Sequence, residues 1–163
     1  MVNYLLFLYM HKTLEYIKTE KMALRLIARA EQCSSGLIRK LEKRGCDPAC
    51  INEVVSNLFE KKLLDDKRFA RLWLHSKIRF AKSPRRLLSS LCARGIDHDD
   101  AEAALKEVLG EENTEFTMLE KYVNKHAKKA VSKNCDTAKS LKYLLKSEGF
   151  SLAAIQRFIG DEE

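Results

Sequence analysis

Three glycines, Gly45, Gly95 and Gly149, sit in the same pattern of residues, and this recurrence constrains the chain more than any other feature. The segments are LIRKLEKRGCDPACINEVV (37–55), LLSSLCARGIDHDDAEAAL (87–105) and LKYLLKSEGFSLAAIQRFI (141–159), spaced by 50 and 54 residues. Each has leucines eight and four residues before the glycine: Leu37/Leu41, Leu87/Leu91 and Leu141/Leu145. Each follows the glycine with an apolar residue (Cys46, Ile96, Phe150) and then an N-cap type (Asp47, Asp97, Ser151). Each resumes with apolar residues six, nine and ten positions after it: Ile51/Val54/Val55, Ala101/Ala104/Leu105 and Ile155/Phe158/Ile159. Leucines four apart share one face of a helix. A glycine ends that helix by taking the left-handed conformation, and Asp or Ser caps the next. A further helical pattern precedes each copy, at about 19–30, 67–80 and 115–129.

The unit is therefore helix, helix, glycine turn, helix, used three times in 163 residues. Six Gly and two Pro leave little room for the many turns of an all-β chain, and the fold class expected is all-α. A unit of about 50 residues buries little surface alone, so tandem copies stack and share a core, giving an elongated body. The boundaries read as an apolar N-terminal segment at 1–18, then repeats at 19–60, 61–110 and 111–163. The opening decapeptide MVNYLLFLYM is about half a membrane span in length, with no basic n-region or cleavage site. It reads as a buried helix or strand. The five cysteines (33, 46, 50, 92, 135) include no C-x-x-C and are expected as reduced thiols packed as small hydrophobes, with no metal site and no cofactor.

Charge is concentrated in the second unit. Residues 61–95 hold eleven Lys/Arg against two Asp, a net of +9 where the whole chain carries +7. Asp65 or Asp66 can cap the helix that follows. Along that helix Phe69, Leu72, Trp73, Ser76 and Phe80 form the face expected to be buried, and Lys67, Arg71, His75 and Arg79 form a basic row. Ser83-Pro84 restarts the chain as N-cap and first helical residue. Arg85 and Arg86 then fall in a first turn, where the helix dipole disfavours cations by a few tenths of a kcal/mol or more, which argues for retention by a ligand. The first unit carries Arg39, Lys40, Lys43 and Arg44. The third is entered through Gly110-Glu111-Glu112-Asn113, has Lys121, Lys125, Lys128 and Lys129, and ends in an acidic tail at 161–163. A local basic face in a chain of pI about 9.2 points to nucleic acid, an acidic protein surface or an anionic membrane.

The combination Leu64-Asp65-Asp66…Phe69-Ala70, Ser83-Pro84-Arg85-Arg86-Leu87, Ala93-Arg94-Gly95-Ile96 and Gly149-Phe150-Ser151 resembles the RecX regulatory proteins, bacterial modulators of the RecA recombinase. Ser83 stands where that family usually has Gly. The resemblance covers about residues 19–160 and is most specific in the second unit. It implies three tandem three-helix repeats forming a curved body that lies in the groove of the RecA–DNA filament. It also implies inhibition of the recombinase's ATPase, strand-exchange and coprotease activities, hence modulation of DNA repair, homologous recombination and the SOS response. DNA binding, single- and double-stranded, is implied as a weaker electrostatic contact. By position, the residues expected to carry binding are Lys67, Arg71, Arg79, Lys82, Arg85 and Arg86, with Arg39, Lys40 and Arg44 as a second patch.

Two other readings compete. A stand-alone helical DNA-binding protein would need Asn, Gln and Arg on an exposed recognition helix. The segments after Gly95 (DHDDAEAALKEVL) and Gly45 begin acidic or apolar instead. A repeat scaffold for an acidic protein would bind without DNA. Catalysis is not expected, because Asp65-Asp66 are adjacent, so their side chains diverge, and no nucleophile-base dyad or phosphate loop accompanies them. The chain is expected to be a cytoplasmic monomer that acts without a membrane.

Overall fold

The structure, a computed structural model, describes residues 2–111, 113–130 and 137–160. Among them are nine helices and no strand: α1 Val2–Arg29, α2 Ser34–Glu42, α3 Pro48–Glu60, α4 Asp66–Ile78, α5 Pro84–Cys92, α6 His98–Leu109, α7 Thr114–Ala130, α8 Thr137–Ser147 and α9 Leu152–Ile159. They are three consecutive three-helix repeats, as the glycine pattern implies. Residues 2–10 of the opening decapeptide are part of α1, which runs unbroken through residue 18. Glu112, Cys135 and the tail at 161–163 lie outside the described residues, as do the side chains of 2–12 and of Lys128 and Lys129.

The helices begin and end where local chemistry places them. Asp47 accepts a hydrogen bond from the backbone N–H of Cys50 (3.1 Å), Ser83 from Arg86 (3.4 Å), Asp97 from Asp99 (2.9 Å) and Ser151 from Ala154 (3.2 Å). Gly45, Gly95 and Gly149 have φ of +75°, +86° and +89°. At Gly45 the paired bonds Cys46 N–H to Leu41 carbonyl (3.3 Å) and Gly45 N–H to Glu42 carbonyl (2.9 Å) form a Schellman turn. Phe150–Leu145 (3.2 Å) and Gly149–Lys146 (3.0 Å) repeat it. The helix-terminal carbonyls are thereby satisfied, and the residue after the glycine folds back onto the core.

The chain contacts divide into two compact units: Met1–Phe69 with Arg94–Ile96, and Ala70–Ala93 with Asp97–Glu163. In the first, α1, α2 and α3 pack on one another around Ala23, Leu26, Leu37, Leu41, Cys46, Ile51, Val54, Val55, Leu58 and Leu64. Cys33, Cys46 and Cys50 are buried, packed as small hydrophobes. In the second, α5 packs on α6, α6 on α7, and α7 and α8 on α9. Its interior includes Leu87, Leu91, Ala101, Leu105, Val108, Met118, Leu119, Leu145, Phe150 and Ile155. The third repeat keeps the pattern more loosely: Leu141, Phe158 and Ile159 are half-buried where their counterparts are buried.

One face differs from expectation. In α4 the buried residues are Ala70 and Leu74, while Phe69 and Trp73 are half-buried and Ser76 is exposed. Leu72 (52% exposed) and Phe80 (49%) lie outward. The buried stripe is thus rotated about one residue, about 100°, from the one the aromatic spacing suggests. Apolar residues occur on most of this helix, and the small Ala70 admits a closer neighbour than Phe69 or Trp73 would.

Candidate polyanion-binding interface

The start of α4 is fixed by two adjacent acids with different tasks. Asp65 is the cap, accepting from the Arg68 N–H at 2.9 Å. Asp66 instead reaches α2, accepting from the Ser34 N–H (2.7 Å) and the Ser34 hydroxyl (2.5 Å). The need is local: the N-cap of α2 is Cys33, whose side chain makes no capping bond, so a free first-turn donor is satisfied by a carboxylate from elsewhere in the unit. Arg68 adds a bond to Glu31 (2.8 Å) and reaches the carbonyls of Lys62 (3.5 Å) and Leu63 (3.4 Å). Arg68 is therefore a joint residue of the first unit, which its place in the cationic run does not reveal.

The expected binding residues of the first unit are Arg39, Lys40, Arg44 and Lys67. All four are exposed. Arg39 Nε donates to the Ser35 carbonyl (3.3 Å), and Lys40 Nζ donates to Gln32 Oε1 (2.6 Å). These bonds restrain the two stems.

In the second unit the basic row of α4 is partly neutralised. Arg71 lies 3.6 Å from Glu107, and His75 lies 3.3 Å from Glu111. Both pairs are exposed, and an exposed ion pair such as Arg71–Glu107 contributes about 0–1 kcal/mol. Arg79 stands 5.1 Å from the Phe80 ring, and Lys77 stands 5.5 Å from Phe80 and 6.0 Å from Trp73. The residues read from sequence as core aromatics thus form, with Lys77 and Arg79, an outward cation–aromatic patch.

Lys82, Arg85 and Arg86 are brought together at the start of α5. That start rests on the glycine turn after α8: the Arg85 N–H donates to the Glu148 carbonyl (3.0 Å), and a Cβ on Gly149 would stand 3.4 Å from the Arg85 nitrogen. The Ser83 hydroxyl donates to Glu148 Oε2 (2.5 Å), and Arg85 Nη1 reaches the Ser147 carbonyl (3.4 Å). Both arginines stand in the first turn of α5, as the spacing predicts. The Arg85 guanidinium also reaches the carbonyl end of α8, where a cation is favoured. Arg86 is exposed. Burial, and then the Glu148 carboxylate, push the Tyr122 phenol above its ordinary value of 10.0, while Arg86 pulls it down.

No group of three or more His, Cys, Asp or Glu among the described residues is placed to hold a metal ion. No described helix is long and apolar enough to cross a membrane.

Residues 65–105, from the α4 cap through most of α6, match the family model described as RecX, second three-helix domain. The regulatory protein RecX of Treponema pallidum strain Nichols is 32% identical over 146 residues, covering 89% of this chain and 85% of that protein. Regulatory protein RecX of Halorhodospira halophila is 38% identical over 87 residues, about half of each chain (53% and 52%). The crystal structure of RecX from Lactobacillus salivarius superposes with a TM-score of 0.67 at 21% identity over 89% of this chain and 94% of that one. A second crystal structure of regulatory protein RecX gives 0.72 at 19% identity over 91% and 72%. The two structures establish the fold, and the Treponema relative, matched along most of both chains, establishes that this chain belongs to the RecX family of regulatory proteins.

Proposed function

We propose that the chain is a non-enzymatic regulator of RecA that lies in the groove of the RecA–DNA filament and inhibits ATP hydrolysis, strand exchange and coprotease activity. It would thereby modulate recombinational repair and the SOS response in the cytoplasm. The observation that carries this reading is the coincidence of two features in one stretch. Residues 65–105, which match the family's second three-helix domain, overlap the run that holds the excess charge.

The binding residues proposed are Lys67, Arg71, Arg79, Lys82, Arg85 and Arg86, with Arg39, Lys40 and Arg44 as a second patch. Their exposure supports this role for Arg39, Lys40, Arg44, Lys67, Arg79 and Arg86. Arg71 and Arg85 would serve it while also holding Glu107 and Ser147. Cations placed along phosphates bind by releasing counterions, so affinity falls as salt rises. The Phe80 ring beside Lys77 and Arg79 suits contact with an unpaired base as well as a phosphate. The repeats proposed are 19–60, 61–110 and 111–163, preceded by 1–18.

Co-sedimentation with RecA filaments on single-stranded DNA tests the reading. The chain should pellet with the filament, and Lys82→Glu with Arg86→Glu should release it while helical circular dichroism is unchanged. Equal pelleting of the double variant would remove the α5 start from the interface. Binding to free DNA with a sequence preference, and none to the filament, would favour the stand-alone DNA-binding reading.

A further inference from the structure

We infer that α1 carries a second apolar seam that pairs in parallel with α1 of a second copy of this chain. The core-facing side of α1 is Thr19, Ala23 and Leu26, all buried, with Tyr16, Met22 and Ile27 at its margins. On the other side Leu14, Ile17 and Leu24 are 52%, 53% and 40% exposed, and Lys21 and Ala28 are exposed with them. Positions 14, 17, 21, 24 and 28 alternate steps of three and four, the spacing of a coiled-coil seam. Ile17, Glu20, Lys21, Leu24, Arg25 and Ala28 form one continuous strip along this side of α1.

The charges beside the seam choose the occupant. Scattered exposed leucines need no explanation, but a seam with ordered flanks does. With Leu14 and Ile17 as the a and d positions, Lys18 and Arg25 fall at e, and Glu20 falls at g. In a parallel pair a g residue faces the e residue five positions later on the other helix, which sets Glu20 opposite Arg25. An antiparallel pair would set e against e, cation against cation. Lys21 at an a position costs stability and fixes register. Glu20 already lies 3.5 Å from Lys61 in its own chain, an exposed contact that an interhelical partner can replace. This departs from the monomer that the sequence suggests, and it stands independently of the filament reading.

The test is sedimentation equilibrium of the full chain over a concentration series. The mass should rise from 18.8 kDa towards twice that value. Ile17→Glu with Leu24→Glu should hold it at the monomer with helical circular dichroism intact, since both side chains are exposed. Glu20→Arg alone and Arg25→Glu alone should each shift the equilibrium towards monomer. An equimolar mixture of the two should restore the dimer, because both cross-helix pairs are then opposite in charge. A wild type that stays monomeric, a dimer that survives the seam double variant, or a mixture that fails to restore association would each overturn the inference. So would a chain that binds phosphatidylserine-containing vesicles through this seam while remaining monomeric in solution.

Discussion

Gly45 and Gly95 occupy the same place in successive repeats, yet their surroundings differ. Both need positive φ, which costs a residue with a Cβ about 1–2 kcal/mol. A Cβ on Gly45 meets nothing within 4 Å, whereas one on Gly95 would overlap the Ser35 side chain. Gly45→Ala should therefore cost about 1–2 kcal/mol in urea unfolding, and Gly95→Ala clearly more. In a Ser35→Gly background the excess at Gly95 should disappear; equal costs in wild type would contradict the packing account. Lys62 takes φ +56° at the end of α3, in the turn closed by the Leu63–Leu58 (2.9 Å) and Lys62–Phe59 (2.9 Å) bonds. A glycine suits that conformation, so Lys62→Gly should stabilise by about 0.5–1 kcal/mol even though it removes a charge. The three glycine turns were legible in the sequence because each residue type names its own conformation. The turn at Lys62 was not, because lysine carries no such signal. Asp66 was half legible: an acid at a helix start reads as its own cap, and only the three-dimensional placement of Ser34 reveals that it serves another helix. Tyr122 gives a test in pH. Its raised pKa means that folding favours the neutral phenol. The contribution is constant below the unfolded value of 10.0 and is lost as pH rises through the higher folded value. The stability advantage of wild type over Tyr122→Phe should accordingly shrink above pH 10, and an advantage that grows there would contradict the assignment.

Helix α4 marks where periodicity stops being sufficient. A spacing of three and four residues says that a helix forms, and the structure bears this out at Asp66–Ile78. It does not choose between adjacent stripes when apolar residues lie on both. Ala70 and Leu74 are buried, while Leu72 and Phe80 are about half exposed. Leu74→Ala should then destabilise by about 2–5 kcal/mol, the range for a buried leucine, and Leu72→Ala should remain within about 0.5 kcal/mol. The reverse order would restore the face expected from sequence. The start of α5 gives a second lesson. Ser83 and Pro84 mark it clearly, but the neighbour that receives Arg85, the carbonyl end of α8, is about 60 residues away in the chain and leaves no local trace. Arg85→Glu should lower thermal stability by setting a carboxylate against that carbonyl and Glu148, whereas Arg39→Glu should leave the melting temperature nearly unchanged. Equal effects would return Arg85 to the purely functional group.

At the scale of the molecule, repetition carries most of the inference. Three copies of one grammar imply three three-helix repeats, and the family match gives the second copy a recognised identity. What the chain does follows less directly, because a cation's partner is a property of the complex. Of the nine basic residues singled out, Arg71 meets the acid Glu107 and Arg85 the end of another helix, partners that sequence spacing could not expose. In the proposed function the chain restrains RecA through a salt-sensitive contact with its filament. The most direct test is single-strand-dependent ATP hydrolysis by RecA of the same organism, titrated with this chain at two salt concentrations. Inhibition is expected at less than one chain per RecA monomer, weakening at the higher salt, with Lys82→Glu/Arg86→Glu shifting the titration to higher concentration. Undiminished hydrolysis at every concentration, while the chain still binds DNA, would contradict it.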